Sequence, residues 1–224
     1  MLRAVSPARA ASFTLVALAC FAVAAVGVQL LRTEHDWWQA PLSFYLSGPY
    51  SGWLRLAYAL LGLAMAALAT GLWAALAPAA RRQLVPVLLP LGGLALIATA
   101  YWPGPSPGHP VSDAGALVHG LSAMAAFLLV GAAMLLQSAV LRHDPHWRPV
   151  AAPLLAVAAL AFAGLWLHAL WRELPRGASQ KAVIALYLLW LCGVALCLRS
   201  LPAAGRDAGR DAGRDTRTTD AASR

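Results

Sequence analysis

The sequence predicts an all-α integral membrane protein, a bundle of six transmembrane helices. Three observations carry this. Six stretches, at 12–31, 53–77, 84–102, 115–141, 150–171 and 180–201, are apolar enough and long enough for a bilayer core about 30 Å thick, which takes about 20 helical residues to cross. The mean hydropathy is +0.65, and 12% of residues are charged where soluble domains carry about 25%. The connections between the runs are short and leave no room for a second folded domain. The expected organisation is a short cytoplasmic N-terminus at 1–11, the bundle at 12–201 and a disordered tail at 202–224.

The first run follows Arg3 and Arg9 and could be mistaken for a signal peptide. Its apolar stretch is too long for a signal's 7–15-residue core and runs straight past Cys20, so it reads as an uncleaved helix. The connection after it, RTEHDWWQAPLSFYLSGPYSG, is rich in aromatics, Pro and Gly. It suits a short interfacial or re-entrant segment. In the second and third runs, Gly62, Ala66, Ala69 and the Gly92-Gly93 pair allow helix backbones to approach. Pro86, Pro90 and Pro153 lie near helix starts, where proline is tolerated. The connection PGPSPGHPVSD forbids regular structure, and Ser112 or Asp113 caps the fourth helix. The turn RHDPHWRP joins the fourth and fifth runs, with His143 and His146 expected in solvent. The tail repeats Ala-Gly-Arg-Asp and has little to bury.

Charge orients the bundle. Six spans place both ends on one side, together with Arg81, Arg82, Arg142, Arg148 and Arg199. Arg32, Arg55, Arg172, Arg176 and Lys181 lie opposite. The positive-inside rule then makes both termini cytoplasmic in a cell (inner) membrane. The net charge of +8 does not signal nucleic acid, because the basic residues sit at chain ends and in short loops. Cys20, Cys192 and Cys197 lie within apolar runs with no CxxC pair, so neither a disulfide framework nor a zinc knuckle is implied.

Ionisable groups inside spans mark function by default. His119, near the start of the fourth run, and His168, near the end of the fifth, should lie at similar depth near the outer face. Asp36, His35, Ser43 and Ser47 join them from the first outer connection, Asp113 and His109 from the second, and Arg172 and Glu173 from the end of the fifth helix. His119 and Ser122 share a helix face, and Gly164, His168 and Arg172 form one stripe. The candidate ligand set is therefore Asp36, Ser43, Asp113, His119, His168 and Arg172. Each has a plainer reading: interfacial side chains for His168 and the tryptophans, an interhelical hydrogen bond for His119, a helix cap for Asp113.

Three sharper readings compete. His119 and His168 would ligate a metal with a carboxylate from the outer connections, as in zinc hydrolases. They would alternatively ligate a haem between two helices, on thinner grounds. Or the set binds a lipid headgroup or small anion, with Arg172 supplying charge. HExxH, P-loop and GxGxxG motifs are absent, and the apolar midplane argues against a carrier.

The segment PLSFYLSGPYSGWLRLAYALLGLA, the Trp102-Pro103 pair and GALVHGLSA carry a resemblance to a family. They resemble the prokaryotic six-helix membrane proteins grouped as domain of unknown function 998, over most of the chain from Phe13 to about Leu198. Such proteins often carry a Phe-Pro and an acidic residue soon after the third helix; here Tyr101-Trp102-Pro103 leads into Pro and Gly, with Asp113 later. The resemblance implies a fold and a location rather than a reaction. The leading functional expectation is a polar ligand or headgroup site at the outer face. The alternatives are a metal-dependent hydrolase of a lipid-like substrate and a structural or accessory membrane subunit.

Overall fold

The computed structural model describes residues 6–201; the expected disordered tail at 202–224 lies outside them. The described chain is six α-helices joined by turns and two short 3-10 helices. The α-helices are α1 (Pro7–Leu31), α2 (Ser51–Ala75), α3 (Val85–Tyr101), α4 (Asp113–Leu141), α5 (Arg148–Leu170) and α6 (Arg176–Arg199). Five of them are long and apolar enough to cross a membrane; α3 has 17 residues. At 1.5 Å per residue it covers about 25 Å, a few ångströms short of a bilayer core. Proline sets both of its bounds. Pro86 occupies its first turn, and Trp102 caps it immediately before Pro103.

Helix starts follow local capping. The Ser6 hydroxyl accepts from Arg9 N, so α1 begins at Pro7, earlier than the apolar run suggested. Ser112, not Asp113, caps α4, accepting from Gly115 N at 3.2 Å. Tyr50 enters α2 from the left-handed region at φ 60°.

Each helix packs against its neighbours in sequence, and α1 closes on α6, so the six form a ring. Small residues set the spacing where lipid supplies no hydrophobic drive between helices. At the α2–α3 crossing, Gly62 and Gly93 meet backbone to backbone; a Cβ on Gly62 would lie 2.5 Å from the Gly93 carbonyl oxygen. Large side chains fill the space around them, with Leu68, Leu72, Leu89, Met134 and Trp190 fully buried.

The two ends of the ring differ. At the end carrying the α2–α3 and α4–α5 turns, Asp144 is 5% exposed. Its carboxylate accepts from Ala77 N at 2.8 Å and His146 N at 3.0 Å. It thereby ties the two turns together with charge-assisted bonds. Gln137 donates to the Ala80 carbonyl, and Trp190 Nε1 donates to Ser138 Oγ at 2.8 Å across α6 and α4. These groups give this end a small buried polar set. His143 and His146 are exposed there, as expected.

Gly93→Ala should separate α2 from α3, since the added methyl meets backbone that cannot rotate away. The expected cost is about 1–3 kcal/mol, read as a lowered thermal unfolding midpoint of the purified protein; an unchanged midpoint would show the crossing to be looser than drawn.

Candidate functional site

The opposite end carries the two longer connections and both candidate histidines. The first connection is folded rather than loose. It turns at Asp36, whose Oδ1 accepts from Trp38 N at 2.9 Å, and continues into a 3-10 helix, Leu42–Leu46. Leu42, Tyr45 and Leu46 are fully buried, so the segment is docked into the end of the ring instead of lying along an interface.

Two anchors hold this 3-10 helix. At its start, Leu42 N donates to Gln180 Oε1 at 2.8 Å. The preceding turn also caps α6: Ala178 N donates to the Trp38 carbonyl at 2.8 Å, and Lys181 Nζ donates to the Trp37 carbonyl. The first-turn N–H groups of a helix need such outside acceptors. Gly177 makes the approach possible, because a Cβ there would lie 2.5 Å from the Ala40 oxygen and 2.8 Å from those of Trp37 and Trp38. At the 3-10 helix's end, Arg55 Nε donates to the Leu46 carbonyl at 2.7 Å, and Arg32 Nη1 donates to the Ser47 carbonyl.

Arg32 is the centre of the second anchor. It is 3% exposed. Its Nε donates to Glu34 Oε1 at 2.7 Å, and its Nη2 donates to His35 Nε2 at 2.9 Å. A guanidinium cannot accept, so His35 carries its proton on Nδ1. The His35 ring meets the Tyr45 ring edge-on at 5.1 Å between centroids. Burial, then the neighbouring Arg32 charge, lowers the His35 pKa below its ordinary value. The Arg32 hydrogen bond holds the exposed Glu34 carboxyl below the usual range. Burial raises the Tyr45 phenol. Tyr45 Oη is buried with no hydrogen-bond partner among the described residues.

The second connection reaches this anchor through His109. A Cβ built on Gly48, whose φ is +79°, would lie 3.1 Å from the His109 Nε2 and 3.2 Å from Arg32 Nη2. Gly48 is thus the seam between the two connections, at a backbone angle that suits glycine.

His119 caps α3. Its Nδ1 lies 2.9 Å from the Trp102 carbonyl oxygen and 3.3 Å from that of Thr99. Carbonyls only accept, so Nδ1 carries the proton and Nε2 is left as the acceptor. Ser122 lies on the same face, donating to the His119 carbonyl and standing 3.0 Å from Thr99 Oγ1.

His168 has different partners. Its Nδ1 lies 2.7 Å from Ser179 Oγ, and its Nε2 accepts from Arg176 Nη2 at 3.1 Å. Arg176 Nη1 also donates to the His168 carbonyl. Ser179 spends its own proton on the Pro175 carbonyl at 2.7 Å, so Nδ1–H donates to the serine. The pair therefore has the wrong polarity for a histidine-activated nucleophile. It fastens the end of α5 to the start of α6.

Of the six expected ligand residues, Ser43 and His119 line one cavity, and His168 bonds Ser179 and Arg176. His119 and His168 share no hydrogen-bond partner among the described residues, and no three His, Cys, Asp or Glu side chains there are grouped to hold a metal. Asp36 and Asp113 are exposed. Arg172 is also exposed, because α5 ends at Leu170 and the expected i+8 stripe runs off the helix. Arg176 takes its place. Arg32, Gln180 and Arg176 escaped the sequence reading, although the short α5–α6 connection pointed to Arg176 by forcing those helix ends together.

Ser43 and His119 both line a cavity of about 80 Å³, walled by residues of α1, α2, α3, α4 and α6. Leu96, Ala126, Val130, Ile184 and Leu191 give it an apolar body. Ser43, Thr99, His119 and Gln180 place polar groups towards the end that carries the two longer connections, and Tyr58 lines the cavity from α2.

The family model described as "Protein of unknown function (DUF998)" matches residues 2–197. No curated protein and no solved structure matches the chain.

His168→Ala should cost about 1–3 kcal/mol by stranding the Arg176 guanidinium and the Ser179 hydroxyl, while Arg172→Ala should fall within about 0.5 kcal/mol of the parent. Paired thermal unfolding curves check this; equal losses would return Arg172 to the network.

Proposed function

The chain belongs to the DUF998 family, and from that premise we propose that it is a six-span protein of the cell (inner) membrane that binds a narrow lipid-like amphiphile at its outer end. The polar head would rest among Ser43, His119 and Gln180, and the apolar end would enter the ring. The observation that carries this reading is the cavity's make-up, an apolar body with a few hydrogen-bonding groups gathered at one end. His119 Nε2 supplies an acceptor and Gln180 an amide donor.

Size narrows the ligand. A cavity of about 150 Å³ admits benzene; at about 80 Å³ this one takes the end of a slim chain rather than a fused ring.

Orientation follows from charge. Arg81, Arg82, Arg142 and Arg148 flank the turns at the end opposite the cavity mouth, which supports cytoplasmic termini. α3 would complete its crossing with Leu84 and Trp102 at its ends and slight local thinning of the bilayer.

Native mass spectrometry of the purified protein should find an amphiphile bound in about one-to-one ratio, released by Ala126→Phe, which fills the cavity wall. A parent protein free of bound lipid, or one that Ala126→Phe leaves equally loaded, would contradict the reading and favour a structural or accessory subunit.

A further inference from the structure

The cavity's outer end is covered by the 3-10 helix, since Ser43 lines the cavity while Leu42, Tyr45 and Leu46 on either side are buried. The segment is held at both ends by different chemistry. At its start the partners are an amide and backbone groups, Gln180 Oε1 on Leu42 N and Ala178 N on the Trp38 carbonyl. These do not titrate. At its end, Arg55 holds the Leu46 carbonyl and Arg32 holds that of Ser47. Arg32 is itself positioned by Glu34 and by the lone pair of His35 Nε2.

We propose that the segment Leu42–Leu46 is an acid-released lid over the cavity, with the Arg32–His35 hydrogen bond as its latch. A proton on His35 Nε2 would face the Arg32 Nη2–H at a separation of 2.9 Å, donor against donor. The anion within reach is Glu34, whose Oε1 lies 3.9 Å from that nitrogen. Moving to His35 would take Glu34 off Arg32 Nε. Arg32 then loses two of its three hydrogen-bond partners and keeps only the Ser47 carbonyl.

The surrounding charges point the same way. From the first connection, Arg32, Glu34 and the Tyr45 ring flank the imidazole, and Asp36 acts on the Tyr45 phenol; Arg55 reaches the same stretch from α2. From the second connection comes His109, whose ring stands across Gly48 from Arg32. In acid, His35 adds positive charge beside a buried guanidinium, with Glu34 as the near counter-charge. That loosens the first connection at its Gly48 end.

The sign of the pH effect is fixed by the direction of the His35 shift. Its folded-state pKa lies below the ordinary 6.5. Docking of the lid is therefore fully present above about 6.5 and lost as pH falls through the folded value. Release in acid would open the cavity from outside while the start of the segment stays tethered at Gln180, which makes the motion a hinge. The inference rests on the cavity reading only for what lies beneath the lid.

Hydrogen exchange of the full chain in nanodiscs, corrected for the intrinsic pH dependence of exchange, tests it without reference to any ligand. Protection across 43–50 and 103–112 should fall by about tenfold between about pH 7.5 and pH 5, with Leu42 and the helix centres unchanged. The midpoint should lie below the histidine value of 6.5 and above the carboxylate value of 4.5. His35→Gln, which keeps an acceptor for Arg32 but cannot be protonated, should abolish the response. A pH-independent parent, a midpoint in the carboxylate range, or an undiminished response in His35→Gln would overturn the proposal. Should His35→Gln fail to fold, the parent midpoint decides alone. A latch that works over a lipid-free cavity would leave the lid standing and remove the amphiphile.

Discussion

The closure of α1 on α6 is the constraint on which the rest of the structure depends. The other helix pairs are antiparallel neighbours in the chain, joined by short turns that place them side by side at little entropic cost. α1 and α6 are separated by nearly the whole protein, and something other than chain connectivity must hold them. At the end carrying the two longer connections it is the connection following α1. Its carbonyls at Trp37 and Trp38 meet Lys181 and Ala178 of α6, and Gly177 lets backbone approach backbone. In a bilayer the alternative for those first-turn N–H groups is poor, because the surroundings offer few acceptors. Helix capping and ring closure are thus one event.

From that closure the cavity follows. Six helices arranged in a ring leave an axis that side chains must fill, and here Ala123, Ala126 and Gly92 leave part of it open. The opposite end is sealed by Trp147, Trp190 and the Asp144 clasp. The ring is closed by large residues at one end and by a hydrogen-bonded segment at the other. A covering made of hydrogen bonds can be released by chemistry; one made of buried indoles cannot. That difference is why the proposed ligand site and the proposed lid are both placed at the end with the longer connections.

Much of the architecture was legible in the sequence because apolar length is a strong signal when backbone groups must be satisfied within the helix. Five helices fall where the apolar runs placed long ones, and the family resemblance carried by the Leu42–Leu46 and His119 segments holds. The third run is the exception: Pro86 and Trp102-Pro103 trim it to 17 residues. The site was less legible. His119 and Ser43 line one cavity, yet His168 is occupied by Ser179 and Arg176, partners decided by where α5 stops. Arg32 looked like a topogenic charge at a helix end, and nothing in its neighbours shows that the chain folds back to bury it. Burial of that kind depends on contacts between residues such as Arg32 and Ser47, whose spacing matches no helical or strand period. Asp144 was hidden in the same way inside an ordinary-looking polar turn.

The most direct test of the account is labelling at the lid. In a chain with Cys20, Cys192 and Cys197 replaced, single cysteines at Ser43→Cys and Pro49→Cys are exposed in intact cells at neutral pH to a thiol reagent that cannot cross membranes. Pro49 is on the exposed tip of the first connection, whereas Ser43 lies beneath it against the cavity. The account predicts rapid labelling of Pro49→Cys and protection of Ser43→Cys. Equal labelling of the two would contradict a docked segment, and labelling of neither until the cells are broken would place this end of the ring on the wrong side of the membrane.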